Sequence, residues 1–104
     1  MTEQWCRVIR SEALDAADVA RFDHADSTYA VFRDEAGRLA ATAGLCTHAR
    51  VHLADGFVFG TQIECPKHNG RFNVETGDAI ARPVTVGVRS YPCRINDGKV
   101  EIQR

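Results

Sequence analysis

Four side chains in the middle of the chain have the types and spacing of a metal centre. Cys46 and His48 stand in the run Cys-Thr-His-Ala-Arg, Cys65 and His68 in Cys-Pro-Lys-His-Asn-Gly-Arg-Phe, and sixteen residues separate His48 from Cys65. Each half offers one sulfur and one nitrogen ligand. Cys46 and His48, one residue apart, can both point inward from a tight turn but do not share a helix face. Pro66 has no N–H to give to a ladder and fixes a turn after Cys65, and Gly70 permits close backbone approach just past His68. Two such loops can present four ligands at one tip.

Two cysteines and two histidines also describe a tetrahedral zinc site. A zinc site, however, usually groups like ligands, Cys with Cys and then His with His. The order here is Cys, His, Cys, His, and mixed pairs let both cysteines hold one iron of a 2Fe-2S centre and both histidines the other. On the residues alone, a structural zinc module acting as an interaction domain remains an alternative, which an absorption spectrum separates because zinc is colourless.

With this order and spacing the chain resembles the Rieske proteins, and within them the small ferredoxins that serve aromatic-ring-hydroxylating dioxygenases. The stretch Leu53-Ala54-Asp55-Gly56 and the run from Arg71 to Gly77 add to the likeness. The resemblance implies one Rieske 2Fe-2S cluster, with Cys46 and Cys65 on the ferric iron and His48 and His68 on the redox-active iron near the surface. It implies an all-β fold in which small antiparallel sheets form a basal sandwich or barrel carrying an inserted cluster-binding subdomain. The implied function is one-electron transport from a flavin-dependent NAD(P)H reductase to a terminal Rieske non-haem iron oxygenase, in aromatic hydrocarbon catabolism. A small subunit of a larger, nitrite-reductase-like enzyme is the neighbouring alternative within the fold. High-potential Rieske proteins add a disulfide between the ligand loops and two hydroxyl donors. The matching positions here read Arg50 or Val51, Lys67, Gly70 and Phe72, which implies a low potential.

The rest of the chain must position that site. Its 104 residues suffice for one domain over 1–104, with residues 44 to 82 as the cluster-binding unit. An apolar content of 44% argues against disorder, and 13 Lys plus Arg against 14 Asp plus Glu leave no basic excess for nucleic acid. The start, Met1-Thr2-Glu3-Gln4-Trp5, has no signal-peptide pattern, and no run of about eighteen apolar residues occurs. A cytoplasmic protein without a membrane partner is expected.

The elements read as short strands: Trp5 to Ile9, Val19 to Phe22, Thr28 to Arg33 and Arg38 to Thr42, the last two alternating around a hairpin at Asp34-Glu35-Ala36-Gly37. Ser11 to Leu14 reads as a turn with a Ser cap. A turn at Gly60-Thr61 precedes the strand that delivers Cys65, and Glu75 to Asp78 turn the chain back after Arg71 to Val74. Val84 to Tyr91 and Cys93 to Asn96 follow, and Asn96-Asp97-Gly98-Lys99 is a hairpin signature into Val100-Glu101-Ile102.

Several chemically active side chains are left over. Cys6 and Cys93 are expected as small apolar strand residues, with a mutual disulfide the minor alternative. His24 is expected to be solvated, and His52, four residues past His48, to be a non-ligand that could still line the cluster surface. An enzyme is not expected: a mononuclear iron site needs a further domain, and no dinucleotide fingerprint occurs. Arg50, Lys67 and Arg71, with Asp55 opposing them, are expected to make the ligand tip basic. Val51 and Leu53 offer apolar contacts there.

Overall fold

The computed structural model describes residues 4 to 48, 50 to 67 and 69 to 104, arranged as eleven strands in three antiparallel sheets. The base sheet has the order β1 (Trp5–Arg10), β11 (Lys99–Gln103), β10 (Cys93–Asn96). The central sheet runs β2 (Asp18–His24), β3 (Ser27–Arg33), β4 (Leu39–Ala43), β9 (Ser90–Tyr91). The third sheet, which carries the candidate site, runs β5 (Phe57–Phe59), β6 (Gln62–Glu64), β7 (Arg71–Asn73), β8 (Ala79–Ala81). Short 3-10 turns lie at Ser11–Ala13 and Leu53–Asp55. The fold is all-β, as expected.

The central sheet is the middle layer of three. In β3 the four consecutive residues Tyr29, Ala30, Val31 and Phe32 are all buried. Because neighbours on a strand point to opposite faces, two cores must lie on the two sides. Ala30 and Phe32 join Ala40, Leu53, Ile63, Phe72, Val74, Cys46 and Cys65 on the side of the third sheet. Tyr29 and Val31 join Leu14, Ala41, Val100 and Ile102 on the base side. The expected apolar and polar alternation of Thr28 to Arg33 is therefore corrected: this strand has no solvent face over its central four residues. Removing Phe32 or Phe72, both fully buried, would cost on the order of 3–5 kcal/mol.

The hairpins close through local chemistry. At Asp34 the buried carboxylate accepts from the Ala36 and Arg38 N–H groups, both at 2.9 Å, and from Arg38 Nε at 3.2 Å. Glu35 N–H donates to Gly60 O (3.3 Å) and Arg38 reaches Glu75 (3.7 Å), so this hairpin also ties the central sheet to the third. The Asp97-Gly98 turn has both residues at positive φ, as a two-residue hairpin requires. A further two-residue turn at Ala25-Asp26, not anticipated, joins a β2 longer than expected to β3 in register from Asp18↔Arg33 to His24↔Ser27.

Three other expectations are corrected. Ser11 is not a helix cap; its Oγ accepts from Arg33 Nη2 at 2.8 Å, because the guanidinium reaches across to this turn and to Leu14 O. Residues 84 to 89 are not a strand. There the chain spends its backbone groups elsewhere, Val88 N–H on Gly77 O and Arg89 O on the N–H of Ala43 at the end of β4, and only Ser90–Tyr91 forms a strand against β4. β8 adds an unexpected fourth strand to the third sheet.

Cys6 and Cys93 are half-buried, free thiols. Both lie opposite Ile102, one on each neighbouring strand, which sets them two strand spacings or about 10 Å apart. A disulfide needs a Cα separation under about 7 Å, so this pair cannot form one. Burial pushes the Cys93 thiol up to about 11. On the outer face of the same sheet, Glu101 takes Arg94 at 2.9 Å and Arg7 at 3.3 Å from its two neighbouring strands. Hydrogen bonding, first from Arg94, holds its carboxyl below the usual range.

Candidate metal centre

Each candidate cysteine stands at the mouth of a closed loop. In the first, Cys46 N–H donates to Val51 O (2.9 Å), Arg50 N–H returns to Cys46 O (3.0 Å), and Leu53 N–H donates to Gly44 O (2.7 Å). In the second, Cys65 N–H donates to Gly70 O at 2.7 Å. Arg50 and Asn69, each four residues past its cysteine, take left-handed backbone at φ 53° and 60°. Asn tolerates that conformation well; Arg does so at some cost, which the loop's hydrogen bonds offset.

The two loops bring Cys46 and Cys65 together. Both are buried, at 1% and 0% exposure, in the core formed by Leu53, Phe72, Val84 and Val88. Burial pushes the Cys65 thiol up and the adjoining Cys46 thiol adds to this, while the Lys67 backbone N–H pulls it down. A thiolate pair in this apolar site would need a cation between the two sulfurs, so the donors suit a bound metal centre. His48 is exposed at the surface of the first loop. It lines a depression of about 150 Å³ with Thr47, Pro83, Thr85 and Val86. His68 lies outside the described residues, and among the described residues no group of three or more metal-binding side chains comes together.

A third segment braces both loops. Thr47 Oγ1 donates to Val86 O at 2.6 Å, which fixes residues 84 to 88 beside the first loop. A Cβ on Gly70 would stand 2.7 Å from Val84 Cγ1, so the second loop needs glycine where this segment crosses it.

His52 is not a ligand. It is 5% exposed and both ring nitrogens are engaged: Nδ1 accepts from Ala54 N–H at 3.0 Å, and Nε2 meets Thr28 Oγ1 at 2.8 Å. The imidazole fills the space where Gly44 has no Cβ, 2.5 Å from where one would be. Its spacing from His48 gave no sign of this, because the partners come from β3 and from the turn after it. His24 is half-buried and stacks on Phe22, centroids 6.0 Å apart, and is not simply solvated.

The expected basic tip is reduced. Arg50 and Lys67 are exposed, as is Arg82. Arg71 is instead held on the third sheet by Glu64 at 3.6 Å and by the Phe59 ring at 5.3 Å. Leu53 is fully buried and offers no docking contact; among the described residues Val86, 64% exposed, presents an apolar side chain beside His48.

The strand order, the paired loops and the buried thiols define an iron-sulfur module, and the chain belongs to the Rieske [2Fe-2S] domain family, whose pattern matches residues 4–92. It is 38% identical over 102 residues to the ferredoxin component of a naphthalene 1,2-dioxygenase system from Pseudomonas aeruginosa, covering 98% of this chain and 97% of the relative. Among solved structures it resembles the Sphingomonas yanoikuyae B1 ferredoxin, with a TM-score of 0.89 and 32% identity over 97% of this chain and 99% of that one. It likewise resembles the ferredoxin in a complex of reduced oxygenase and oxidized ferredoxin in carbazole 1,9a-dioxygenase (TM-score 0.89, 29% identity, 95% of this chain and 92% of that one). The protein is an electron-carrying ferredoxin of the dioxygenase-system type, not an enzyme, and its cofactor is one Rieske-type 2Fe-2S cluster. That cofactor replaces the zinc alternative.

Proposed function

We propose that Cys46, His48, Cys65 and His68 are the cluster's ligands, the two cysteines on the inner iron and the two histidines on the outer, and that the protein shuttles single electrons from a flavin-containing NAD(P)H-dependent reductase to a terminal Rieske non-haem iron oxygenase. The observation that carries this reading is the pairing of two buried thiols beneath a surface histidine. An inner thiolate pair keeps the site dry, and an outer imidazole gives a short path to a partner. The cluster supplies storage of one electron; the chain supplies the ligands, their burial and the docking face.

A radius of gyration of 12.7 Å, close to the roughly 13 Å of a 100-residue unit, supports reading residues 1–104 as one domain; the third sheet and both ligand loops, which fall within residues 44 to 82, support reading that stretch as the cluster-binding subdomain. Among the described residues no helix is long and apolar enough to cross a membrane. A cytoplasmic carrier is the reading that agrees with ferredoxin relatives matched along nearly their whole length.

Because one face holds His48, both partners would use it in turn, and the protein would shuttle between them. Exposed Arg50 and Lys67 lie on the two ligand loops, exposed Arg82 precedes Pro83 of the depression beside His48, and exposed Val86 lines that depression, so encounter should be steered by charge and sealed by apolar contact. Stopped-flow reduction by a flavin reductase, then reoxidation by an oxygenase, tests this. Rates should fall as salt rises, and more weakly so in Lys67→Glu and Arg50→Glu. Rates flat with salt and equal in both variants would place docking on another face.

A further inference from the structure

A chain of hydrogen bonds joins His52 through Thr28 to Asp23. Since Ala54 N–H donates to Nδ1 of His52 (3.0 Å), that nitrogen carries no proton, and the proton of the neutral ring sits on Nε2. Nε2–H therefore donates to Thr28 Oγ1 (2.8 Å), and the Thr28 hydroxyl donates onward to Asp23 Oδ1. All three bonds run in one direction, from the turn after the first ligand loop to a surface carboxylate on β2.

The backbone of His52 is part of the loop's neck. It bridges Leu45, the neighbour of Cys46, and beside it Leu53 N–H closes onto Gly44 O at 2.7 Å. Gly44 N–H in turn donates to Thr28 O at 2.9 Å. The ring thus joins the neck to the β2–β3 hairpin.

We propose that His52, anchored through Thr28 to Asp23, is a positioning residue for the first ligand loop and works only as the neutral Nε2–H imidazole, so that the loop's hold on its cluster weakens in acid. This rests on Cys46 and His48 being ligands. Protonation at Nδ1 would set two hydrogens against each other at Ala54 N–H, and that bond must break. The charged groups facing the ring are Arg21 and Asp23 from β2 and Asp55 from its own turn. Burial first, and then Arg21, push the imidazole below its ordinary 6.5, against a smaller opposing pull from Asp55 and Asp23. A histidine lowered in the folded state contributes its stabilisation fully above pH 6.5 and loses it as pH falls through the lowered value.

The test follows loss of visible absorption from the purified, cluster-loaded protein at pH about 7.5 and about 5.5, on either side of the ordinary histidine value. Wild type should release its cluster several-fold faster in acid. Thr28→Val, close in shape but without the hydroxyl, should release it about five-fold faster at the higher pH, the factor expected from one net hydrogen bond, and Thr28→Ser should restore the wild-type rate. His52→Gln, which cannot titrate, should show a much smaller acid step; if it does not fold, the Thr28 pair decides alone. Thr28→Val indistinguishable from wild type, or an undiminished acid step in His52→Gln, would overturn the proposal. A wild-type protein without the iron-sulfur absorption would instead count against the ligand assignment.

Discussion

In both ligand loops the cysteine N–H donates to the carbonyl of the fifth residue onward, Val51 in one and Gly70 in the other, and the residue before that carbonyl is left-handed. What holds the loops to the rest of the molecule differs. The first is anchored by polar groups, His52 to Thr28 and Thr47 to Val86 O. The second is anchored by packing, with Val84 seated on Gly70 and Phe72 and Ile63 buried beneath. A polar anchor depends on protonation and direction, a packed one on volume. The two halves of one site should therefore fail under different insults.

The largest effect should come from breaking both halves at their shared point. Cys46→Ala or Cys65→Ala should abolish cluster assembly and lower stability, since each removes a ligand and leaves a gap in the core that the two loops share. His48→Ala and His68→Ala should cripple assembly as well. Cys6→Ser and Cys93→Ser, in the base sheet, should leave the visible spectrum intact. A fully coloured Cys46→Ala protein would contradict the assignment.

A smaller effect distinguishes the anchors. Gly70→Ala presses a Cβ to 2.7 Å from Val84 Cγ1 and should cost about 1–3 kcal/mol in denaturant unfolding. Val84→Ala in the same chain should recover part of that cost, because the conflict is one of volume alone. Gly44→Ala presses a Cβ to 2.5 Å from His52 Nε2, and no truncation of His52 should rescue it, because the ring's two hydrogen bonds would go too. Equal rescue at both glycines would dissolve the contrast between the loops.

Much of this was legible in the sequence where chemistry is local. The ligand spacing, the Asp34–Gly37 and Asn96–Lys99 turns and the all-β character follow from residues close together in the chain. What escaped was set by distant partners. Tyr29 to Phe32 read as an alternating strand because nothing in the run says that a sheet covers each face. Residues 84 to 89 have strand-like composition, yet their backbone groups are taken by Gly77 and by the end of β4. Arg71 reads as a surface charge beside the ligands until Glu64 of β6 and Phe59 of β5 claim it from the same sheet. His52 and Thr28, twenty-four residues apart, became a pair only through the fold. His68 lies outside the described residues, and its role rests on the motif.

Two thiolates and two imidazoles are proposed to hold a single one-electron centre. A potentiometric titration of the purified protein, followed by visible absorption, tests it most directly. The resemblance implies that Arg50 or Val51, Lys67, Gly70 and Phe72 stand where high-potential Rieske proteins have hydroxyl donors or a link between loops, so less help would be given to the added electron. One electron per chain should be taken up at the negative end of the Rieske range of roughly −150 to +300 mV. A midpoint near the roughly −400 mV of all-cysteine plant-type ferredoxins, or a colourless protein with nothing to titrate, would contradict it.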